Sequence, residues 1–215
     1  MEIKSKKGNV IGKIDFQSRQ DIISEIIDLR PGEGKAIYIA DAADNKFSQQ
    51  TNCAAISWDG SLESLKEKLT PWQPQFPTHS VMCGIQVYYG FENLTSQEID
   101  EMVEESERTG KNVVVRELKP NNKLVGVSIT YENNQETYKF QIFGTTKSRI
   151  QMPDGGDSSI EQLNVRDIEA FYISNAENQQ LIWIEEDING KALQYEISGR
   201  NIQKEDALSV MESME

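Results

Sequence analysis

The only histidine of the chain, His79, lies in the segment TPWQPQFPTHS, so a Ser-His-Asp triad or a histidine-type metal centre would have to be assembled around this one residue. A triad is defined by three-dimensional geometry, and a histidine in a proline-rich loop is more simply an ordinary loop residue. Cys53 and Cys83 are the two cysteines. Cys53 with His79 could form a thiolate pair, but neither residue sits in a local signature of that chemistry. Their spacing is compatible with two reduced thiols in the cytoplasm or with a Cys53–Cys83 disulfide outside it. The acidic run Glu185-Glu186-Asp187 could supply paired carboxylates for general acid-base work. Successive strand residues point to opposite faces, however, so a solvated strand end accounts better for it. Asp154 and Asp157 flank two glycines without the further oxygen ligands of a calcium loop, and no GxxxxGK[ST] or GxGxxG phosphate cradle occurs. The expectation is therefore a protein with no catalytic residues, no cofactor and no metal.

Aromatic side chains are the remaining candidates for a site. Trp183 and Tyr195 fall on facing strands if Asn189-Gly190 is the turn between them, and Phe171 and Tyr172 occupy another strand. Cross-strand aromatic pairs chiefly stabilise sheets, although a curved sheet lined by Trp183, Tyr195, Phe171 and Tyr172 could hold an apolar ligand.

Hydrophobic periodicity shows which elements must position these groups. Ile22, Ile23, Ile26 and Ile27 recur at helical spacing between Ser18 and Leu29, and Leu62, Leu65 and Leu69 line a second helix before Pro71. Strands are expected at 35–40, 54–58 and 81–91, separated by the polar segment 41–52 and by a proline-rich loop pinned through Trp72 and Phe76. Thr95 and Glu98 form a capping box that opens a helix with Ile99, Met102 and Val103 inward. Beyond Gly110, strands at 112–118, 124–131, 137–143 and 149–152 suggest an antiparallel meander. A strand at 168–173 follows, then a hairpin over 181–197 and a closing helix with Ala207, Leu208, Met211 and Met214 on one face. The fold class is α+β, an antiparallel, curved sheet packed by amphipathic helices. Its organisation is an N-terminal region over 1–110 and a strand-rich domain over 111–215, or one compact unit. Residues 85–104 also align with 193–212 without a gap, each a strand, a turn and an amphipathic helix, a pattern compatible with an internal duplication or with the apolar spacing that any two strand-helix units share.

The chain of 215 residues is 37 % hydrophobic, enough for a core of its own, and its net charge of −13 repels nucleic-acid phosphates and anionic lipid headgroups. No run approaches the ~20 apolar residues of a membrane span, and the N-terminus lacks the apolar core of a signal peptide. That pattern fits a cytoplasmic protein, and equally one whose N-terminal anchor has been removed.

The run DIEAFY from Asp167, then LIWIE from Leu181, YEISG from Tyr195 and the closing helix through Met211-Glu212-Ser213 resemble an uncharacterised domain family. This family belongs to the extracytoplasmic parts of Gram-positive, mostly Bacillus-like, membrane-anchored proteins, some of which are similar to anti-sigma factors. The resemblance covers about the C-terminal half. LRPGEGKAIYI from Leu29 looks like an N-terminal segment of the same class of proteins. In the family the helix usually opens with Ser or Thr, where this chain has Gln203, a poorer cap. The resemblance implies a non-enzymatic binding or sensing domain outside the cytoplasmic membrane, tethered by an N-terminal segment and directed at an unknown protein or small ligand. There, an oxidising environment would pair Cys53 with Cys83. Two alternatives stand beside it: a carrier of a lipid or other apolar ligand on the curved sheet, and a hydrolase using unrecognised carboxylates.

Overall fold

The structure, a computed structural model, describes residues 2–4, 8, 10–17, 29–40, 46–69, 72–78, 81–133, 136–144, 147–151, 159–176, 178–187 and 189–214. The helix expected over 18–29, His79 and the Asp154–Asp157 turn lie wholly or almost wholly outside them. In chain order the elements are β1 (Glu2–Lys4), β2 (Val10–Gln17), β3 (Glu33–Ile39), β4 (Lys46–Asn52), β5 (Ala55–Ser57), α1 (Leu62–Lys68), β6 (Val81–Phe91) and α2 (Ser96–Thr109). There follow β7 (Val113–Glu117), β8 (Pro120–Asn133), β9 (Glu136–Gly144), β10 (Lys147–Gln151), β11 (Ser159–Val165), β12 (Ile168–Ser174), β13 (Gln179–Glu186), β14 (Ala192–Gly199) and α3 (Lys204–Glu212). The fold is α+β and mostly antiparallel.

Local chemistry explains the helix ends. Ser61 accepts from Ser64 N at 3.2 Å to start α1. Thr95 and Glu98 complete the capping box of α2, with Thr95 N donating to Glu98 Oε2 at 2.8 Å, and Gly110 closes that helix at φ 66°. Gln203 makes no side-chain cap bond, so α3 relies on Glu205 and Asp206 in its first turn to answer the helix dipole. The inward face of α3 is Ala207, Val210, Met211 and Met214, while Leu208, expected inward, is half-buried. Both patterns have helical spacing, and only packing decides between them.

The chain folds into two compact units, one built from 1–24, 57–87 and 126–215, the other from 25–56 and 88–125. Residue 110, the boundary suggested by the sequence, falls inside the second. An eight-stranded sheet has the order β11-β12-β13-β14-β9-β8-β6-β5. The expected closing hairpin is present, with Trp183 opposite Tyr195. One face of this sheet carries Leu181, Trp183, Tyr195, Ile197, Phe140, Ile142, Val127 and Ile129, all buried. Helix α3 packs on this face beside β13, as the ion pair from Lys204 to Glu161 shows. The opposite face buries Phe171, Ile173, Ile182, Ile184 and Ala192 against Ile3 of β1.

The meander expected over 112–152 is instead divided among three sheets. Strand β7 joins β3 and β4, β8 and β9 lie in the large sheet, and β10 pairs in parallel with β2. Turn residues mark where strands stop, but they do not say which strand comes next in space. Two polar stretches that lie outside the expected strands are edge strands: 46–52 within 41–52 is β4, and 159–165 is β11. In the second unit, α2 packs on β7 and β3 around Ala36, Tyr38, Met102, Val114 and Leu118. The aligned repeats agree in local form, since four residues link β6 to α2 and four link β14 to α3. Their settings differ, with α2 on β7 and β3 and α3 on β13.

Candidate functional site

An open depression of about 520 Å³ lies where the β11–β12 hairpin approaches the end of β1, lined by Lys4, Gln162, Leu163, Asn164, Asp167 and Glu169. Strand β11 pairs with β12 so that Val165 faces Ile168, leaving a two-residue turn at Arg166 and Asp167. Both take left-handed backbone, φ 52° and 63°. This geometry suits Asn-Gly, and a non-glycine residue held there costs about 1 kcal/mol or more. Gln162 Nε2 donates to Glu169 Oε1 across the strand pair. Lys4, two carboxylates and two side-chain amides can exchange hydrogen bonds with a polar ligand. The sequence pattern does not reveal this hairpin, because Arg166-Asp167 lacks the glycine or asparagine of a turn signal and β11 is mostly polar.

The aromatic candidates do not converge on one ligand. Trp183 and Tyr195 stack on each other with centroids 5.2 Å apart and planes at 6°. The Trp183 indole donates to Glu185 Oε1 at 3.2 Å, and the Tyr195 hydroxyl accepts from Gln75 N at 3.3 Å. Burial pushes the Tyr195 hydroxyl well above its ordinary range, with Glu185 adding to the effect. Phe171 faces the other side of the sheet and packs with Ile3 and Ile182. Tyr172 shares the Trp183 face but is half-buried, and its hydroxyl is raised first by burial and then by Glu205.

The proline-rich segment lies along this aromatic face, pinned as expected by Trp72 and Phe76. Phe76 meets Phe140 edge-on at 6.3 Å, Lys191 Nζ sits 4.4 Å from the Trp72 ring centroid, and Thr78 Oγ1 donates to Ser213 O at 2.9 Å.

Two members of the acidic run, Glu185 and Asp187, are committed to structure. Glu185 receives the Trp183 indole, while Glu186 lies on the other face and is exposed. Asp187 Oδ1 accepts from Asn189 N and Lys191 N, each at 2.9 Å, and Asp187 Oδ2 accepts from Gln73 N at 3.3 Å. The turn is therefore wider than Asn189-Gly190 alone: Asp187 N bonds Lys191 O, and Gly190 takes φ 76°.

Both cysteines are free thiols, so the expected Cys53–Cys83 disulfide is not formed in this structure. Each has local surroundings of its own. Cys83 is exposed on β6 and directs its thiol toward Val81 O at 3.7 Å and Glu132 Oε2 at 3.8 Å. Cys53 is half-buried after β4, and burial raises its thiol pKa against a hydrogen bond with Thr51.

Burial also perturbs a carboxyl that periodicity did not single out. Glu196 lies on the face opposite Tyr195, between Ile182 and Gln141 in register. Burial raises its pKa, opposed by hydrogen bonds from Gln180 Nε2, at 2.9 Å, and Ser198, and by the charge of Lys139. Among the described residues, no three His, Cys, Asp or Glu side chains are grouped to hold a metal ion, and no helix is long and apolar enough to cross a membrane. Comparison of the chain with protein-family models, curated proteins and solved structures finds no match in any of the three.

Proposed function

We propose that the chain is a non-enzymatic binding or sensing domain that acts outside the cytoplasmic membrane, tethered there by an N-terminal segment in its native context. The observation that carries the non-enzymatic reading is the structural use of Glu185 and Asp187, which support Trp183, the hairpin turn and the proline-rich segment. The depression beside the strained Arg166-Asp167 turn offers polar groups to a ligand, and strain of this kind clusters at active sites, ligand clamps and switch regions. The extracytoplasmic placement rests on the resemblance of the C-terminal half. The net charge of −13 favours a protein or small ligand over nucleic acid.

The carrier reading gains no observation of its own, because Trp183 and Tyr195 stack on each other. Denaturing mass spectrometry of purified protein tests it directly, since a carrier retains an apolar ligand. For the compartment, intact cells expressing the chain from its own open reading frame are treated with an impermeant protease. Digestion without lysis is expected, and protection until lysis would overturn the placement.

A further inference from the structure

The three-stranded sheet of the second unit has the order β4-β3-β7, so that among the described residues one side of β4 is an edge. Natural sheets usually protect such an edge with a bulge, a proline or several charges. Strand β4, KFSQQTN, has an unbroken register over all seven pairs with β3 and a single charge, Lys46. Its residues are exposed except for half-buried Gln50.

The direction of its backbone groups follows from two bonds on the other side of β3. Leu118 N donates to Gly34 O and Ala40 N to Asn112 O, each at 2.8 Å, so the even-numbered residues of β3 turn their backbone toward β7. Odd-numbered residues therefore face β4, and the register Lys35↔Gln50, Ile37↔Ser48 and Ile39↔Lys46 assigns the inward bonds to Gln50, Ser48 and Lys46. Phe47, Gln49 and Thr51 direct their N–H and C=O groups to the open edge.

We propose that this edge of β4 is a strand-addition site for an extended, basic segment of a partner protein. The inference rests on the reading of the chain as a binding module and names the class of partner. Alternating donors and acceptors along a straight edge are completed by another strand, with side-chain contacts supplying selectivity. Charge chooses the occupant. At −13 per chain, a second copy and an acidic peptide are both repelled, whereas a basic segment is attracted.

The probe is a synthetic peptide of alternating threonine and valine with a lysine at each end, added to the full chain while amide hydrogen exchange is read residue by residue. Exchange at Phe47, Gln49 and Thr51 should slow, and the same peptide N-methylated on its backbone should have no effect. Gln49→Pro removes an outward N–H, so it should weaken peptide binding roughly tenfold with little change in melting temperature. Ser48→Pro loses an inward bond and should lower the melting temperature instead. Unchanged exchange at millimolar peptide, or equal action of the N-methylated peptide, would overturn the proposal without needing either variant. Concentration-dependent protection of the three amides without peptide, together with a dimer in sedimentation, would identify a second copy and also overturn it. None of these results bears on protease accessibility in cells, so the proposed compartment stands or falls separately.

Discussion

Truncating the inward face of α3 tests both its packing and its rotation. Met211 is fully buried and Val210 is 7 % exposed, whereas Leu208 is only half-buried. Met211→Ala should cost about 3 kcal/mol, within the ~2–5 kcal/mol range for large-to-alanine changes in a core. At ~2–4 °C per kcal/mol for a chain of this size, the melting temperature falls by roughly 6–12 °C. Val210→Ala removes two buried methyl groups and should cost about 2 kcal/mol, and Leu208→Ala about 1 kcal/mol. Trp58, Trp72 and Trp183 all belong to the same unit as α3, so tryptophan fluorescence during urea unfolding reports on that unit. The expected order of loss is Met211, Val210, Leu208. A Leu208→Ala loss equal to that of Met211→Ala, with Val210→Ala neutral, would refute this rotation of the helix.

Burial raises the Glu196 carboxyl, so its stabilising contribution is present below the ordinary value of 4.5 and is lost as pH rises through the folded value. Glu196→Gln should therefore flatten the decline of stability above pH 4.5 and raise the melting temperature at neutral pH, and an unchanged pH profile would count against this account. Asp167→Gly should relieve the second left-handed turn position and stabilise the chain by up to about 1 kcal/mol, read from the urea midpoint; a loss of stability would contradict the assigned strain. Tyr195→Phe removes the acceptor for Gln75 N and should cost about 1 kcal/mol, and a neutral result in thermal unfolding would show that this bond contributes nothing.

Elements whose burial is written into local spacing were legible before any coordinates. The capping box of α2, Leu65 and Leu69 on and beside α1, and the 181–197 hairpin all combine apolar periodicity with a recognisable end signal. The edge strands β4 and β11 lack that alternation because solvent covers most of their residues. Pairing partners were less legible still. Nothing in the composition of β10 distinguishes a neighbour at β9 from a parallel one at β2, and that choice depends on contacts remote in sequence. The candidate site was hidden for a related reason. Arg166 and Asp167 occupy a conformation their side chains do not favour, so their identities suggest no tight turn. Asp187 shows the converse, since the acidic run was visible in sequence but its backbone hydrogen bonds needed the folded turn.

The discontinuous make-up of the two units sets an order for vectorial synthesis. All of 25–56 and 88–125 has left the peptidyl transferase centre before the first residue of 126–215 is added. At ~5–20 residues per second, the 90 residues of 126–215 take roughly 5–20 s. The earlier unit can therefore be complete while β2 still awaits β10 and the first strands await the sheet on which Ile3 will pack. Throughout that interval the nascent chain presents orphaned β-structure, and a holdase able to shield β1 and β2 would act upon it.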